Sequence, residues 1–137
     1  MKTEYRAGLS EAKNLARALA PKLRGGEILA LVGQLGSGKT TFTQALGRAL
    51  GVKGKILSPT FIVLQEFPTR LKTAAGQKIF LSHLDLYRVK SFKEADVLGL
   101  SDSWGRTNII TVIEWADKIK TKLPKQTIYI YLTRDVS

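Results

Sequence analysis

Two periods of apolar residues run along the chain, and the switches between them mark its elements. Residues 28–32, Ile-Leu-Ala-Leu-Val, are apolar throughout, as a strand buried on both faces should be, and the β-branched run at 108–113 is the second of this kind. Behind the first run, Phe42, Ala45, Leu46, Ala49 and Leu50 recur at helical spacing, with Gly51 placed as the residue after the helix C-cap. Upstream, Ser10 is an N-cap candidate for a helix striped by Ala12, Leu15, Ala16 and Leu19, which Pro21 closes by disfavouring helix at Ala20. Residues 2–7 read as a short edge strand. Residues 61–67 and 78–87 read as strands joined by a loop at 68–77, with Gly76 near its end, so a long hairpin is predicted. Ser91 caps a predicted short helix carrying Phe92, Ala95 and Leu98; a turn follows at 102–106. A further helix is predicted over 115–123 before Pro124. Residues 127–133 then alternate Ile128, Ile130 and Leu132 against Tyr129 and Tyr131, as a half-buried last strand would. Strands interleaved with helices predict an α/β fold with a mostly parallel sheet plus an antiparallel hairpin.

Composition narrows this. With 137 residues and 44% hydrophobic content, the chain can bury one sizeable core, and a single domain over 1–137 is expected. Without cysteine there is neither a disulfide framework nor thiolate metal ligation, and the default compartment is a reducing cytoplasm. His83 is the only histidine and cannot make a zinc site, so a structural or hydrogen-bonding role is expected of it. No stretch is long and apolar enough to span a bilayer, and residues 1–9 lack a signal core, so no membrane partner is expected. The formal charge of +11 fits either an anionic partner or a solvated basic surface. One stretch leans towards the partner: between Phe67 and Leu84 there are Arg70, Lys72 and Lys78 but no acid, which predicts a basic hairpin loop for docking.

Chemistry enters at residues 33–41, Gly33-Gln34-Leu35-Gly36-Ser37-Gly38-Lys39-Thr40-Thr41. A glycine, four free positions, then Gly-Lys-Thr is the P-loop pattern, lying between an apolar strand and a helix as that motif requires. Gly33, Gly36 and Gly38 permit a tight loop whose backbone N–H groups turn inward around a polyphosphate; Lys39 supplies a point charge to the β and γ phosphates, and the Thr40 hydroxyl a ligand for Mg²⁺. The expected fold is therefore the three-layer P-loop NTPase type. Such a site needs carboxylates at strand ends. Asp85 and Glu114 both end apolar strands, although Asp85 could instead pair with Arg88 and Glu114 could cap the following helix.

Together, GQLGSGKTT, SPTF at 58–61, HLDLYR at 83–88 and IEW at 113–115 resemble the TsaE family of P-loop ATPases, over roughly residues 5 to 133 and in the family's order. The resemblance implies a small ATPase, using ATP and Mg²⁺, required for threonylcarbamoylation of an adenosine in tRNA. It implies TsaB and TsaD as protein partners, with ATP hydrolysis resetting their complex and tRNA reached through that complex or directly. Carried onto this chain, it assigns Lys39 and Thr40 to phosphate and metal, Thr60 to a switch near the γ-phosphate, and Asp85 and Glu114 to metal and water. Trp115 belongs to the IEW signature, as packing or as part of a partner or nucleotide surface. Two departures stand out: Gln34 occupies a position often acidic in the family, and the chain stops soon after its last strand, short of a further C-terminal segment. Two other readings remain open: a P-loop kinase for a small acceptor, with Arg70 and Lys72 as lid candidates, and a nucleotide-dependent nucleic-acid-binding module.

Overall fold

The computed structural model describes residues 3–34, 38–54, 56, 64–86, 90–97, 99–116, 119 and 122–134. Six strands, β1 (Thr3–Gly8), β2 (Ile28–Val32), β3 (Leu64–Lys72), β4 (Lys78–Asp85), β5 (Ile109–Glu114) and β6 (Ile128–Thr133), form one sheet in the order β1-β6-β2-β5-β4-β3. All neighbours are parallel except the hairpin pair β3 and β4. The uninterrupted apolar runs take the centre, where both faces need cover: every residue of β5 is buried, and so are the first four of β2.

Helices α1 (Ala12–Leu19) and α2 (Lys39–Ala49) lie on one face of the sheet. Their Ala12, Ala16, Phe42 and Leu46 close over Leu29, Leu31, Leu81, Val112 and Ile130, forming the larger apolar cluster. Phe92 of α3 (Phe92–Val97), with Leu100, Ala116 and Ile119, covers Ile28, Ala30, Leu84 and Ile113 on the other face. The expected α/β, three-layer architecture is thus present, mostly parallel with one antiparallel pair.

Several boundaries differ from the expectation. A 3-10 turn over Leu9–Glu11 precedes α1, so Ser10 lies inside that turn and Glu11 occupies the cap position. Strand β3 continues through Pro68 to Lys72, placing Arg70 and Lys72 in a strand instead of a loop. An edge strand tolerates proline, and the irregular register between Pro68 and Lys72 is anchored by the Thr69 hydroxyl on the Ile79 carbonyl (2.7 Å) and by Arg70 N–H on the Leu50 carbonyl (2.9 Å). β6 is covered on both faces instead of one, because it lies between β1 and β2 and Tyr129 is buried in the second cluster. Within 115–123, Trp115 is in a turn and Ala116, Ile119 and Lys122 are 3-10 in place of the predicted α-helix. The Ser91 cap holds: its hydroxyl accepts from Glu94 N–H (3.3 Å), and the Glu94 carboxylate accepts from Lys90 N–H (3.0 Å).

Candidate functional site

Strand β2 delivers the chain to Gly33 and Gln34 at the C-terminal edge of the sheet, and α2 starts back from Lys39. Leu35, Gly36, Ser37 and Thr60 lie outside the described residues. Gly38 has φ +98°, and a Cβ there would stand 3.0 Å from Leu9 Cδ1 and 3.4 Å from the Cβ of Ala12, so both backbone conformation and the approach of α1 call for glycine. Lys39 follows immediately. Its side chain is only 6% exposed; its ammonium donates to the Gly33 carbonyl, lies 3.5 Å from the Gln34 carbonyl and sits 3.5 Å from the centroid of the Trp115 ring. A buried cation at a helix N-terminus adds to the positive end of the helix dipole, and the two together make a place for an anion. Thr40 and Thr41 follow in the first turn of α2, both half-buried.

The acids arrive by register. Leu31 of β2 is opposite Glu114 of β5, which is opposite Asp85 of β4. Register partners in parallel strands share a face, and alternation puts His83 there too. That is the face covered by α2, since Leu31, Val112 and Leu81 pack in the cluster containing Phe42 and Leu46. Both acids are buried, Glu114 at 2% and Asp85 at 8% exposure. His83 is fully buried, and its Nε2–H donates to Glu114 Oε2 at 2.5 Å. Glu114 is therefore tied back to β4, which replaces the reading in which it caps a following helix. Arg88, the suggested partner of Asp85, lies outside the described residues.

Trp115 is the only described non-glycine residue with positive φ, at 62°. A bulky residue there is strained, at a cost of about 1–3 kcal/mol. The turn sends its ring onto the Lys39 ammonium, while the same side chain packs against the second cluster. On the other side of β2, Arg6, Gln34, Tyr131 and Arg134 line a cleft of about 430 Å³, with the Arg6 guanidinium 4.5 Å from the Tyr131 ring centroid. That volume lies within the range of small-molecule sites.

The site thus combines a buried cation at a helix start, two buried carboxylates on the same sheet face and an adjoining cleft. The family model for threonylcarbamoyl adenosine biosynthesis protein TsaE matches residues 7–137. The chain belongs to the TsaE family. Among its relatives, the Bacillus subtilis tRNA threonylcarbamoyladenosine biosynthesis protein TsaE is 33% identical over 124 residues, covering 90% of this chain and 72% of that protein. The TsaE of Aquifex aeolicus is 39% identical over 118 residues, covering 80% and 84% respectively. Among solved structures, Bacillus subtilis YdiB superposes with a TM-score of 0.66 at 29% identity, covering 96% of this chain and 75% of that one.

Of the residues expected in a TsaE site, the structure gathers Gly33, Gln34, Gly38, Lys39, Thr40, Asp85 and Glu114 at one edge of the sheet. Arg70 and Lys72, the lid candidates of the kinase reading, lie away from that edge. The hairpin turn lies at the start of β4, and seven strand steps of about 3.3 Å separate Lys78 from Asp85, roughly 23 Å. Sequence reasoning missed the partner of His83; the one signal was that His83 and Asp85 are two apart in a strand and so share a face.

Proposed function

We propose that this member of the TsaE family is an ATPase that binds and hydrolyses ATP with Mg²⁺ and serves the threonylcarbamoylation of tRNA by acting on TsaB and TsaD. The observation that carries this reading is the placement of Lys39 at the start of α2, its ammonium over the ring of Trp115, the residue that follows Glu114, at the edge of the sheet where Glu114 and Asp85 are buried in register. Lys39 already has an oxygen partner in the Gly33 carbonyl, and phosphate oxygens would exchange for it with a large gain in charge complementarity. Gly33 to Thr41 supply the backbone cradle.

The donor set suits Mg²⁺, a hard cation bound through one or two carboxylates and substrate phosphates: the Thr40 hydroxyl, Asp85 and Glu114 offer oxygen only. When bound, Mg²⁺ neutralises charge on the phosphates. Asp85 is assigned to the metal, and Glu114, one oxygen of which is engaged by His83, to the water. Glu114, oriented by that hydrogen bond, would position the attacking water and accept its proton. Thr60, outside the described residues, would be the switch residue that the family resemblance implies.

No observation favours the kinase reading, since Arg70 and Lys72 lie at the opposite end of β4 from Asp85. The test is ATPase turnover with and without purified TsaB and TsaD. Stimulation by the partners, and loss of ATP binding in Lys39→Ala, are expected; unchanged nucleotide affinity in that variant would sink the assignment.

A further inference from the structure

A basic groove runs between α1 and α2, away from Lys39. Lys13 and Arg17 of α1 face Thr41, Gln44 and Arg48 of α2 across a groove of about 270 Å³, and a second of about 250 Å³ continues from Arg48 past Val52 and Gly54. All three cations are exposed, and no ion pair involves them among the described residues.

Few acids lie near them in the sequence, and the nearest, Glu11 at the start of α1, accepts from the Asn14 side-chain amide (3.3 Å). Residues 12–84 hold eleven of the 22 cations but only two of the 11 acids, Glu27 and Glu66. The Glu27 carboxylate accepts from the N–H groups of Arg24 (2.9 Å) and Gly25 (2.8 Å). Glu66 is opposite Ser82, whose neighbours Leu81 and His83 face α2, so Glu66 is on the other side of the sheet. Neither balances the groove.

We propose that this groove binds the sugar-phosphate backbone of RNA. A phosphodiester strand is a row of anions without companion cations, and the groove is a row of cations without companion acids. Protein interfaces depend on apolar and aromatic anchors at their centre, whereas nucleic-acid interfaces are polar and positively charged. Among the described residues the groove presents no aromatic side chain, and the exposed large hydrophobic residues are Leu9 and Val97, neither of which lines it. Its relatives' names place tRNA within reach as such a polyanion. The proposal rests on family membership and charge, and does not require the nucleotide reading.

The test is the affinity of the nucleotide-free protein for a tRNA transcript across a salt series. Lys13→Gln/Arg17→Gln/Arg48→Gln is expected to bind at least about tenfold more weakly near 0.1 M salt, with the slope of log K against log salt shallower by about two, since each phosphate contact contributes roughly 0.7–0.9. Lys90→Gln/Lys93→Gln, two exposed cations at α3 on the other face of the sheet, is expected to match wild type. Unchanged affinity and slope in the groove variant would overturn the proposal, as would equal losses in both variants. Retained tRNA binding with lost binding to TsaB and TsaD would also overturn it, assigning the groove to an acidic protein. If the triple groove variant does not fold, Arg17→Glu alone, at an exposed helical position, must still weaken tRNA binding for the proposal to stand.

Discussion

Lys39 is the residue on which the site turns, because it is nearly buried, positively charged and held at the positive end of α2. Its neighbours divide the work between them. Trp115 covers the ammonium from a strained backbone, and His83 fixes one oxygen of Glu114. Lys39, Asp85 and Glu114 could be read from the sequence, because a spaced motif and the last residue of an apolar run are local signals. The His83–Glu114 bond could not, since its partners are 31 residues apart and meet only through the register of β4 on β5. The proposed division between the acids predicts that Glu114→Gln keeps ATP binding while turnover falls by about 10²-fold or more. Asp85→Ala is predicted to lose Mg²⁺-dependent ATP binding. Nucleotide titrations with and without Mg²⁺, beside turnover measurements, decide this: the reverse pattern swaps the roles, and wild-type behaviour in both removes the pair from the site.

At the scale of elements, the continuous apolar runs were the legible part, because a strand covered on both faces has little freedom in composition. The hairpin was legible in kind and wrong in extent. Pro68 reads as a strand end, yet β3 is an edge strand whose irregular stretch is tied to the end of α2 by Arg70 N–H. Tyr129 misled in β6, since a tyrosine counts as outward in an alternating pattern while its ring fills the second cluster as well as an aliphatic side chain would. The turn before β2 carries an element-scale prediction. Gly25 has φ +114°, and a Cβ there would fall 2.1 Å from the Thr107 carbonyl oxygen, a backbone atom that cannot rotate away. Gly25→Ala should therefore destabilise by about 3 kcal/mol, lowering the melting temperature by roughly 10 °C. A thermal midpoint within a degree or two of wild type would show that the approach of this turn to the 107 region is not needed.

At the scale of the whole molecule, net charge fitted either an anionic partner or a solvated basic surface, and did not say where a partner would lie. The basic hairpin and the basic helix groove are equally acid-poor in sequence; the topology sends the hairpin turn to the end of the sheet opposite Asp85, while the groove runs along α2 and ends near Arg70, which lies beside Gly51. No described helix is long and apolar enough to cross a membrane.

The strand order has a consequence for how the chain comes to be folded during synthesis. Among the described strands β1 pairs with β6 alone, Thr3 lying opposite Ile128, and β6 also borders β2, so β1 and β2 share a partner that is synthesised after all the other described strands. A nascent chain halted before Ile128 would carry β1 without a neighbour and β2 with one edge open, an arrangement prone to pairing with other chains. Closure across so long a separation is also slow. Ribosome-bound chains released at successive lengths should therefore be protease-sensitive and nucleotide-free until the last strand is out, and protection at lengths ending before Ile128 would show that the remaining strands hold the site together without it.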